Sequence, residues 1–448
     1  MTKVQEATLP VLLQGQDVLA KSKTGTGKTM AFLLPTVEKI AKANVAKDAI
    51  SALILSPTRE LATQIDVEAK KLTTFHTIST ECFVGGTSIE LDQKKLKKSI
   101  DILVATPGRL QDHLRNNHGN VIEKLKHLQV LILDEADRLL DMGFRRDIEA
   151  ILDYLPAQRQ TILFSATLPE SLDAIQRVAL KKDHIFIDTV GDQEQTNTHV
   201  NQTALICQLQ DQIGALYSTL KAHIHANPNQ HKIIVFFPTA RAAGFMASVF
   251  EAAKFPVLEM HSRKSQAYRT RTADTFRQQT KVIMFSSDVS ARGVDYPDVS
   301  LVVQMGMTDR DQYIHRLGRT GRAGKDGKGM IILSDFEKHF LDELSDMPIT
   351  HQEFECDAKK NAVDKVLKTI EKNADLKAKA TQAYQSFLGF YVSNLKRLNL
   401  SKQQLVALGE VYAKATGLQS SPPLQKRTIN MMGLENLGLK IQKPQHRR

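Results

Sequence analysis

Short apolar runs alternate with longer amphipathic stretches over most of the 448 residues. Eight runs are predominantly apolar and too short for amphipathic helices, and each predicts a buried strand: Asp17–Ala20, Ser51–Leu55, Ile102–Ala105, Val130–Leu133, Thr161–Phe164, Lys232–Phe237, Lys281–Phe285 and Leu301–Gln304. Apolar strands separated by helical segments are typical of parallel sheets covered by helices on both faces. The pattern therefore predicts an α/β fold with two parallel sheets in tandem.

Changes in this pattern predict the domain boundaries. The polar stretch Val190–Thr198 has no apolar periodicity and indicates an exposed linker, placed at residues 191–204, between domains at residues 1–190 and 205–350. Beyond residue 350 the strand-like runs stop, and apolar residues at helical spacing predict a helical extension over residues 351–420. The remainder, residues 421–448, contains Ser-Pro-Pro and a terminal His-Arg-Arg and predicts a basic flexible tail.

The charge is concentrated at one end of the chain. The net charge is +11, and residues 351–448 carry 17 Lys and Arg against 8 Asp and Glu. A basic surplus of this kind predicts a polyanionic partner such as nucleic acid, with a well-solvated surface as the alternative.

Cysteine usage and hydropathy exclude several classes of protein. Cys82, Cys207 and Cys356 are odd in number and far apart, which argues against a disulfide framework or a zinc site and fits a reducing compartment. No apolar run reaches the roughly 18 residues that cross a bilayer, so no membrane span is expected.

Residues Ser22–Thr29 follow a predicted strand and precede a helical segment. They are close to the phosphate-binding pattern GxxxxGK[ST], with Ser22 in place of the first glycine. Small residues let backbone N–H groups surround phosphate oxygens, while Lys28 reaches the β- and γ-phosphates and the Thr29 hydroxyl ligates Mg²⁺. ATP and Mg²⁺ are therefore the predicted cofactors, with an ordinary glycine-rich turn as the alternative. The predicted nucleotide-binding residues of this loop are Lys23, Thr24, Gly25, Thr26, Gly27, Lys28 and Thr29.

Two further segments carry charge where phosphoryl transfer needs it. Asp134-Glu135-Ala136-Asp137 directly follows a predicted strand, so Asp134 is placed to hold the metal and Glu135 to accept a proton from water. The alternative is an acidic helix start. His315–Arg322 contains three arginines, which could neutralise growing phosphate charge. The alternative is a basic loop that binds nucleic acid or nothing.

Together these segments resemble the DEAD-box RNA helicases over about residues 1–345. The matching segments, in chain order, are Gln5 within Thr2–Gln5, the loop through Lys28-Thr29, Pro57–Leu61, Gly85-Gly86, Thr106–Arg109, Asp134–Asp137, Ser165–Thr167, Val235–Phe237, Gln266 with Arg269, Ser287-Asp288 with Ala291–Asp295, and His315–Arg322. The resemblance implies two RecA-like domains. In the family an aromatic residue upstream of the glutamine packs on adenine, so we expect the natural protein to extend before Met1, where a targeting segment would also lie.

The resemblance also implies a role for each matching residue. Gln5 would recognise the adenine edge, Asp295 beside Gly293 would hold the ribose, and Arg319 and Arg322 would act as arginine fingers from the second domain. Ser165 and Thr167 would couple the nucleotide state to RNA contact. The residues expected to contact the RNA backbone are Pro57, Thr58, Arg59, Gly85, Gly86, Thr106, Pro107, Gly108, Arg109, Gln266, Arg269 and Ser287.

The segment Ala383–Tyr391 resembles the organellar branch of the family, in which a helical extension packs on the second domain and bends the bound RNA. The resemblance implies a mitochondrial or plastid location, with the nucleus or cytoplasm as the alternative. The helical spacing of Tyr384, Phe387, Phe390 and Tyr391 favours a core role for most of them, which leaves the lysines and arginines as the expected RNA contacts.

The resemblance implies the function of an ATP-dependent RNA helicase. It would clamp and bend single-stranded RNA, unwind short duplexes locally or remodel ribonucleoproteins, and act as a monomer. The alternatives are an ATP-gated clamp that rarely turns over, a DNA helicase of the same superfamily and a phosphate-loop kinase.

Overall fold

The structure is a computed structural model that describes residues 1–22, 25–43, 48–191, 200–290, 296–321, 326–353 and 362–442. The chain divides after residue 195 into two compact units. This boundary lies inside the predicted linker. Each unit is built on one seven-stranded parallel sheet, which confirms the predicted α/β class.

The sheet of the first unit has the strand order β3-β4-β2-β5-β6-β1-β7. Its strands are β1 (Val18–Lys21), β2 (Ala52–Leu55), β3 (Thr80–Phe83), β4 (Ile102–Ala105), β5 (Val130–Leu133), β6 (Gln160–Ser165) and β7 (Ile185–Asp188). Its helices are α1 (Lys3–Leu13), α2 (Lys28–Lys42), α3 (Arg59–Leu72), α4 (Ile89–Leu96), α5 (Pro107–Arg115), α6 (Val121–Leu125), α7 (Ala136–Asp141), α8 (Arg145–Leu152) and α9 (Glu170–Ala179).

Both faces of this first sheet are covered. In β2, Leu53 and Leu55 belong to one core cluster, whereas Ala52 and Ile54 belong to a second. Alternate side chains of a strand point to opposite faces, so a strand buried on both faces must be apolar throughout. This explains why the short apolar runs predicted strands so well.

The sheet of the second unit has the order β10-β11-β9-β12-β13-β8-β14. Its strands are β8 (Val200–Cys207), β9 (His231–Phe236), β10 (Leu258–Met260), β11 (Lys281–Ser286), β12 (Leu301–Met305), β13 (Gly327–Ser334) and β14 (Ile349–Glu353). Its helices are α10 (Gln212–Ala226), α11 (Ala240–Ala252), α12 (Gln266–Gln278), α13 (Arg310–Leu317), α14 (Ala362–Leu367), α15 (Ala374–Val392), α16 (Lys402–Ala415) and α17 (Lys426–Met431). A 3₁₀ helix, Asp335–Leu344, follows β13.

All eight predicted strands are present, each displaced by at most one residue at either end. Six strands were not predicted. Four of these, β3, β7, β10 and β14, lie at sheet edges, where a strand need not be apolar throughout. The other two, β8 and β13, include polar residues or glycines that interrupt the apolar pattern.

The predicted boundaries of the second half need correction. Strand β8 begins at Val200, so the predicted linker at 191–204 extends too far. The extension packs into the core of the second unit, since Tyr384 and Leu388 of α15 share one core cluster with Val249 of α11. The prediction that Tyr384, Phe387 and Tyr391 are core residues is confirmed, and Phe390 packs against them partly buried.

The flexible tail predicted from residue 421 is wrong for residues 421–442. This segment contains α17, buries Leu424, Ile429 and Leu434, and pairs Leu424 with Ile441 in a parallel bridge. Its proline and glycine residues interrupt the helical pattern of the sequence, but its widely spaced apolar side chains are still buried. Residues 443–448 lie outside the described part of the chain.

Among the helices that the structure describes, none is both long and apolar enough to cross a bilayer. Cys207 is buried and Cys82 is partly buried, and neither forms a disulfide. Cys356 lies outside the described residues.

Candidate nucleotide and RNA site

The carboxyl ends of the first sheet collect most of the predicted site residues. Strands β5, β6 and β1 are neighbours, and they lead into Asp134, into Ser165–Thr167 and into the phosphate loop. Strands β3, β4 and β2 are also neighbours, and they lead into the three loops predicted to contact RNA. The carboxyl ends of parallel strands lie along one side of the sheet. This side, called here the carboxyl edge, therefore carries a nucleotide half and an RNA half.

The phosphate loop depends on glycine at Gly27. This residue has φ of +89° and caps α2, which begins at Lys28. A Cβ at Gly27 would lie 2.6 Å from Nε2 of Gln5, so a side chain there would strain the backbone and displace the Gln5 amide. Gly25 also has a positive φ of 76°. Lys23 and Thr24 lie outside the described residues.

Gln5 is held between its own helix and the phosphate loop. Its Oε1 accepts a hydrogen bond from the Thr2 N–H at 3.0 Å, and its Nε2 donates to the carbonyl oxygen of Gly27 at 3.2 Å. A primary amide can make further hydrogen bonds through both atoms, which suits recognition of a base edge. Adenine recognition by Gln5 stays a prediction.

Asp134 and Glu135 are both buried at the end of β5. Glu135 has φ of +49°, a conformation that non-glycine residues rarely adopt and that concentrates at functional sites. Its N–H donates to Oδ1 of Asp134 at 3.0 Å. Burial raises the pKa of Asp134 to about 7, against the lowering effect of the Lys28 cation, and the neighbouring carboxylates Glu135 and Asp137 raise it further.

Two buried charged side chains here each have a polar atom with no hydrogen-bond partner within the described part of the chain. The atoms are Nζ of Lys28 and Oε2 of Glu135. Buried charged groups without partners are costly, so an ammonium in this position fits an anionic ligand such as the phosphates of ATP. The orphaned carboxylate oxygen of Glu135 is similarly placed to accept a hydrogen bond from a water molecule.

The oxygen donors at this site suit Mg²⁺. Asp134 offers a carboxylate, and Thr29 lies in the first turn of α2 beside Lys28. In the ranges that the structure describes, no group of three or more His, Cys, Asp or Glu side chains could hold a metal. Mg²⁺ is commonly bound by one or two protein oxygens together with substrate phosphates and water, so the residues present fit it.

Asp137 joins the acidic segment to the Ser165–Thr167 segment. Oδ2 of Asp137 accepts from the Thr167 hydroxyl at 3.1 Å, and the Asp137 N–H donates to Oγ of Ser165 at 3.2 Å. Ser165 in turn donates to the carbonyl oxygen of Thr167 at 2.6 Å. Sequence reasoning gave Asp137 no role of its own, although it lies inside the matched motif.

The RNA half is built from three adjacent loops. Arg59 lies at the start of α3, and its guanidinium packs on Gly85, where a Cβ would come within 3.1 Å of Nη2. The Thr106 N–H donates to the carbonyl oxygen of Phe83, which joins the ends of β4 and β3. The predicted RNA residues of the first unit thus lie together: Pro57, Thr58, Arg59, Gly85, Gly86, Thr106, Pro107, Gly108 and Arg109.

Arg109 differs from the prediction. It was expected to face the RNA backbone, but its side chain is only 7% exposed and its guanidinium is directed inward. The Nε donates to Oδ2 of Asp92 at 2.8 Å, and Nη2 donates to the Thr87 hydroxyl at 2.9 Å. Asp92 is 17 residues from Arg109 in the chain, so no local sequence pattern could have paired them.

In the second unit the predicted RNA residues lie at the ends of β10 and β11. Gln266 begins α12, Arg269 follows one turn later and is buried, and Ser287 follows β11. The Ser287 N–H donates to the carbonyl oxygen of Met260 at 3.1 Å, which brings the two strand ends together.

The arginine-rich segment of the second unit is only partly described. Arg319 is buried after α13, and its Nε donates to the carbonyl oxygen of His315 at 3.3 Å. Arg316 instead binds Asp288 through Nε at 2.8 Å and Nη2 at 2.7 Å, so its role is structural. Gly293, Asp295 and Arg322 lie outside the described residues, and their predicted roles stay predictions.

Comparison with known proteins identifies the family. Residues 2–175 match the family described as DEAD/DEAH box helicase, and residues 213–324 match the helicase conserved C-terminal domain. The chain is 47% identical over 449 residues to DEAD-box ATP-dependent RNA helicase 25 of Oryza sativa subsp. japonica, across 98% of this chain and 74% of the rice protein. The chain belongs to the DEAD-box ATP-dependent RNA helicases. This helicase is also 46% identical over 446 residues to DEAD-box ATP-dependent RNA helicase 26 of the same species, across 98% of the chain and 81% of that protein.

Solved structures support the same assignment. A structure of Mss116p bound to ssRNA and AMP-PNP matches with a TM-score of 0.85 and 29% identity, over 98% of this chain and 90% of that one. Dbp5 of S. cerevisiae bound to RNA and ADP BeF3 matches with a TM-score of 0.69 and 27% identity, over 82% of this chain and 94% of the Dbp5 chain. The two sheets are thus RecA-like, and this DEAD-box helicase is an RNA-dependent ATPase.

Proposed function

We propose that this helicase grips the backbone of single-stranded RNA, bends it, and so separates short duplexes locally or remodels ribonucleoproteins. The observation that supports this most strongly is the division of one sheet edge into a nucleotide half and an RNA half. The two halves share a single rigid support, the sheet of the first unit.

In the nucleotide half, each residue has a distinct proposed task. Lys28 neutralises phosphate charge, and its buried, unpartnered ammonium within the described residues supports this role. Glu135 accepts a proton from the attacking water, since its carboxylate is buried beside Asp134. Asp134 and Thr29 would hold Mg²⁺, partly through water, and the ion would supply positive charge where the transferred phosphoryl group becomes more negative.

In the RNA half, the proposed contacts are to phosphate and sugar. The N-termini of α3 and α5 and the glycine loop after β3 all lie at this edge, and helix N-termini present backbone N–H groups that suit phosphate oxygens. Such contacts carry no sequence information, so we expect binding to many RNA sequences. Gln266, Arg269 and Ser287 are the proposed contacts of the second unit.

The Asp137 hydrogen bonds join the acidic segment to Ser165 and Thr167, the residues expected to couple the nucleotide state to RNA contact. A shift of Asp134 and Glu135 on nucleotide binding would move Asp137, and with it Ser165 and Thr167. We propose that this network reports the nucleotide state, and that Arg319 and Arg322 act as arginine fingers.

The basic extension is proposed as a second RNA contact. Deleting residues 351–448 would be a poor test, because it would strip Tyr384 and Leu388 from the core of the second unit. A better variant changes three exposed lysines within residues 351–448, Lys396, Lys414 and Lys426, to glutamine. The association constant for single-stranded RNA falls as the salt concentration rises. We expect the steepness of this fall, as the slope of log K against log salt concentration, to decrease by about 0.7 for each lysine that contacts phosphate.

A control variant removes the same charge elsewhere. Lys42, Lys71 and Lys126 are exposed lysines of the first unit, paired with Glu38, Glu68 and Glu123. Changing these three to glutamine should leave the salt slope near the wild-type value. Equal slopes for the two triple variants would reject the proposed role of the extension.

Steady-state ATP turnover tests the proposed function as a whole. We expect structured RNA to stimulate multiple turnovers and DNA to stimulate them far less. Tight RNA binding without stimulated turnover would indicate an ATP-gated clamp, and equal stimulation by DNA would contradict RNA specificity. Fluorescence-monitored separation of a short duplex, compared with a long one, tests local unwinding.

We also propose a monomer that acts in a mitochondrion or plastid. Only the resemblance of the Ala383–Tyr391 segment to the organellar branch supports the location. Sedimentation measures the oligomeric state, and fractionation of cells that express the natural gene measures the compartment. Crosslinking followed by sequencing of the bound RNA would identify the target and any ribonucleoprotein partners.

A further inference from the structure

A buried carboxylate outside the three RNA loops connects two of them. Asp92 lies on α4, the helix that follows the glycine loop, and its side chain is 4% exposed. Oδ2 of Asp92 accepts from Nε of Arg109 at 2.8 Å and lies 3.2 Å from Nε2 of His113. Both partners belong to α5, whose first turn contains the Thr106–Arg109 segment.

Arg109 extends the connection to the glycine loop itself. Its Nη2 donates to the carbonyl oxygen of Thr87 at 2.5 Å and to the Thr87 hydroxyl at 2.9 Å. Thr87 directly follows Gly85-Gly86. One guanidinium therefore ties the start of α5 to the glycine loop, with Asp92 on one side and Thr87 on the other.

His113 is the second side-chain partner of Asp92. The imidazole is fully buried, and its ring packs against Phe83 and His118 at centroid distances of 5.1 and 5.2 Å. Nδ1 of His113 also lies 3.2 Å from Nδ1 of His118. The carboxylate thus has two nitrogen partners on one oxygen, both of them fixed by packing on α5 and its surroundings.

The electrostatics make Asp92 essential to this arrangement. Without it, the Arg109 cation would remain buried with only the neutral oxygen atoms of Thr87 as its identified acceptors. Removing one partner of a buried ion pair leaves a charge that is strongly disfavoured inside a protein. The guanidinium would therefore move toward solvent, and the glycine loop and the Thr106–Gly108 segment would lose their fixed spacing.

We propose that Asp92 is a positioning residue for RNA binding, which acts through Arg109 to hold the glycine loop and the Thr106–Gly108 segment at one spacing. This inference rests on the proposed function, in which those loops contact the RNA backbone. In this inference Arg109 holds two loops together through its hydrogen bonds to Asp92 and Thr87. This role replaces the outward RNA contact expected from the sequence.

The test uses the full chain with Asp92→Ala and Asp92→Asn. For Asp92→Ala we expect about a tenfold rise in the RNA concentration that half-saturates the ATPase, the size expected for loss of a hydrogen bond to a charged group. The KM for ATP should change far less, since the contacts of Arg109 described above, with Asp92 and Thr87, involve no residue of the nucleotide half. Asp92→Asn should have a smaller effect, because its amide oxygen can still accept from Nε of Arg109.

Asp66 provides a matched control. It is a buried carboxylate of the same unit, on α3, bound by the Thr80 hydroxyl at 3.1 Å and by Nζ of Lys70 at 2.7 Å. Its partners lie outside the three RNA loops, so Asp66→Ala should lower the melting temperature without raising the RNA requirement selectively. The inference is overturned if Asp92→Ala and Asp66→Ala show the same loss in melting temperature and also raise by the same factor the RNA concentration that half-saturates the ATPase.

A double-mutant cycle tests whether Asp92 acts through Arg109. The RNA concentration that half-saturates the ATPase should be the same for the variant with both Asp92→Ala and Arg109→Ala as for Arg109→Ala alone. Additive effects would overturn the inference. If Asp92→Ala folds poorly, the same cycle is measured with Asp92→Asn. Failure of the wild-type protein to respond to RNA would instead contradict the proposed function, so the two failures are distinguishable.

Discussion

Tyr391 of α15 donates a hydrogen bond from its hydroxyl to Oε1 of Glu337, with the two oxygens 2.5 Å apart. Glu337 is fully buried in the 3₁₀ helix after β13, and it also accepts from the N–H groups of Met307 and Ser334. Burial raises the pKa of Glu337 above its ordinary value, although these hydrogen bonds oppose the shift. The extension is therefore attached to the second unit by a buried polar contact as well as by apolar packing.

We expect Tyr391→Phe to reduce the free energy of unfolding by about 1.5–3 kcal/mol, because a buried carboxylate loses one of its donors. Denaturant-induced unfolding measures this change. Tyr217→Phe is the matched control, since Tyr217 is a partly buried tyrosine of the same unit that packs on Phe250 and Phe255. Equal losses for the two variants would mean that the contact with Glu337 contributes nothing specific.

Glu135→Gln should bind ATP and RNA but hydrolyse ATP roughly 10²–10⁴-fold more slowly, because the attacking water loses its general base. Single-turnover hydrolysis and separate binding measurements check this. Glu149→Gln is the control, because Glu149 only pairs with Arg145 on the surface of α8. Near wild-type turnover in Glu135→Gln would exclude Glu135 as the base.

Gly27→Ala should lower ATP affinity by more than tenfold, a change of about 1.4 kcal/mol or more, because it adds a steric contact with Gln5 to a strained backbone. Equilibrium binding of a labelled nucleotide measures the effect. Gly15→Ala is a control for backbone strain outside the phosphate loop, since Gly15 has a similar φ of +79° but no atom within 4 Å of the point where a Cβ would lie. A comparable loss of affinity in Gly15→Ala would mean that the effect is not specific to the phosphate loop.

The pH dependence of stability should change in Glu259→Gln. Burial acts to raise the pKa of Glu259, but hydrogen bonds from His261 and Lys264 lower it overall below 4.5. The unfolded chain therefore binds this proton more readily, so the carboxylate contributes stability above about pH 4.5 and loses it as the pH falls through the folded pKa.

We expect the melting temperature of the wild type to exceed that of Glu259→Gln at about pH 7, and the difference to shrink as the pH falls below about 4.5. Thermal unfolding of both proteins across this range measures it. A difference that is constant across the range would contradict the lowered pKa of Glu259.

The nucleotide half of the site was predictable because its residues are close in sequence to the strands that position them. Lys28 follows β1 and Asp134 follows β5, so locating the strands also locates the side chains. The segment after residue 420 was harder to predict. Leu424, Ile429 and Leu434 are too widely spaced to show helical periodicity, and only their burial against the core reveals an ordered segment.

The sequence by itself determined the two parallel sheets and the family, because strands buried on both faces must be continuously apolar and because the motifs are contiguous. Tertiary structure alone decided which buried polar side chains come into contact. Asp92 and Arg109 lie on different helices, and Glu337 and Tyr391 lie on separate elements 54 residues apart. Their pairing depends on packing geometry, and a buried charge is stable only where that geometry supplies its partner.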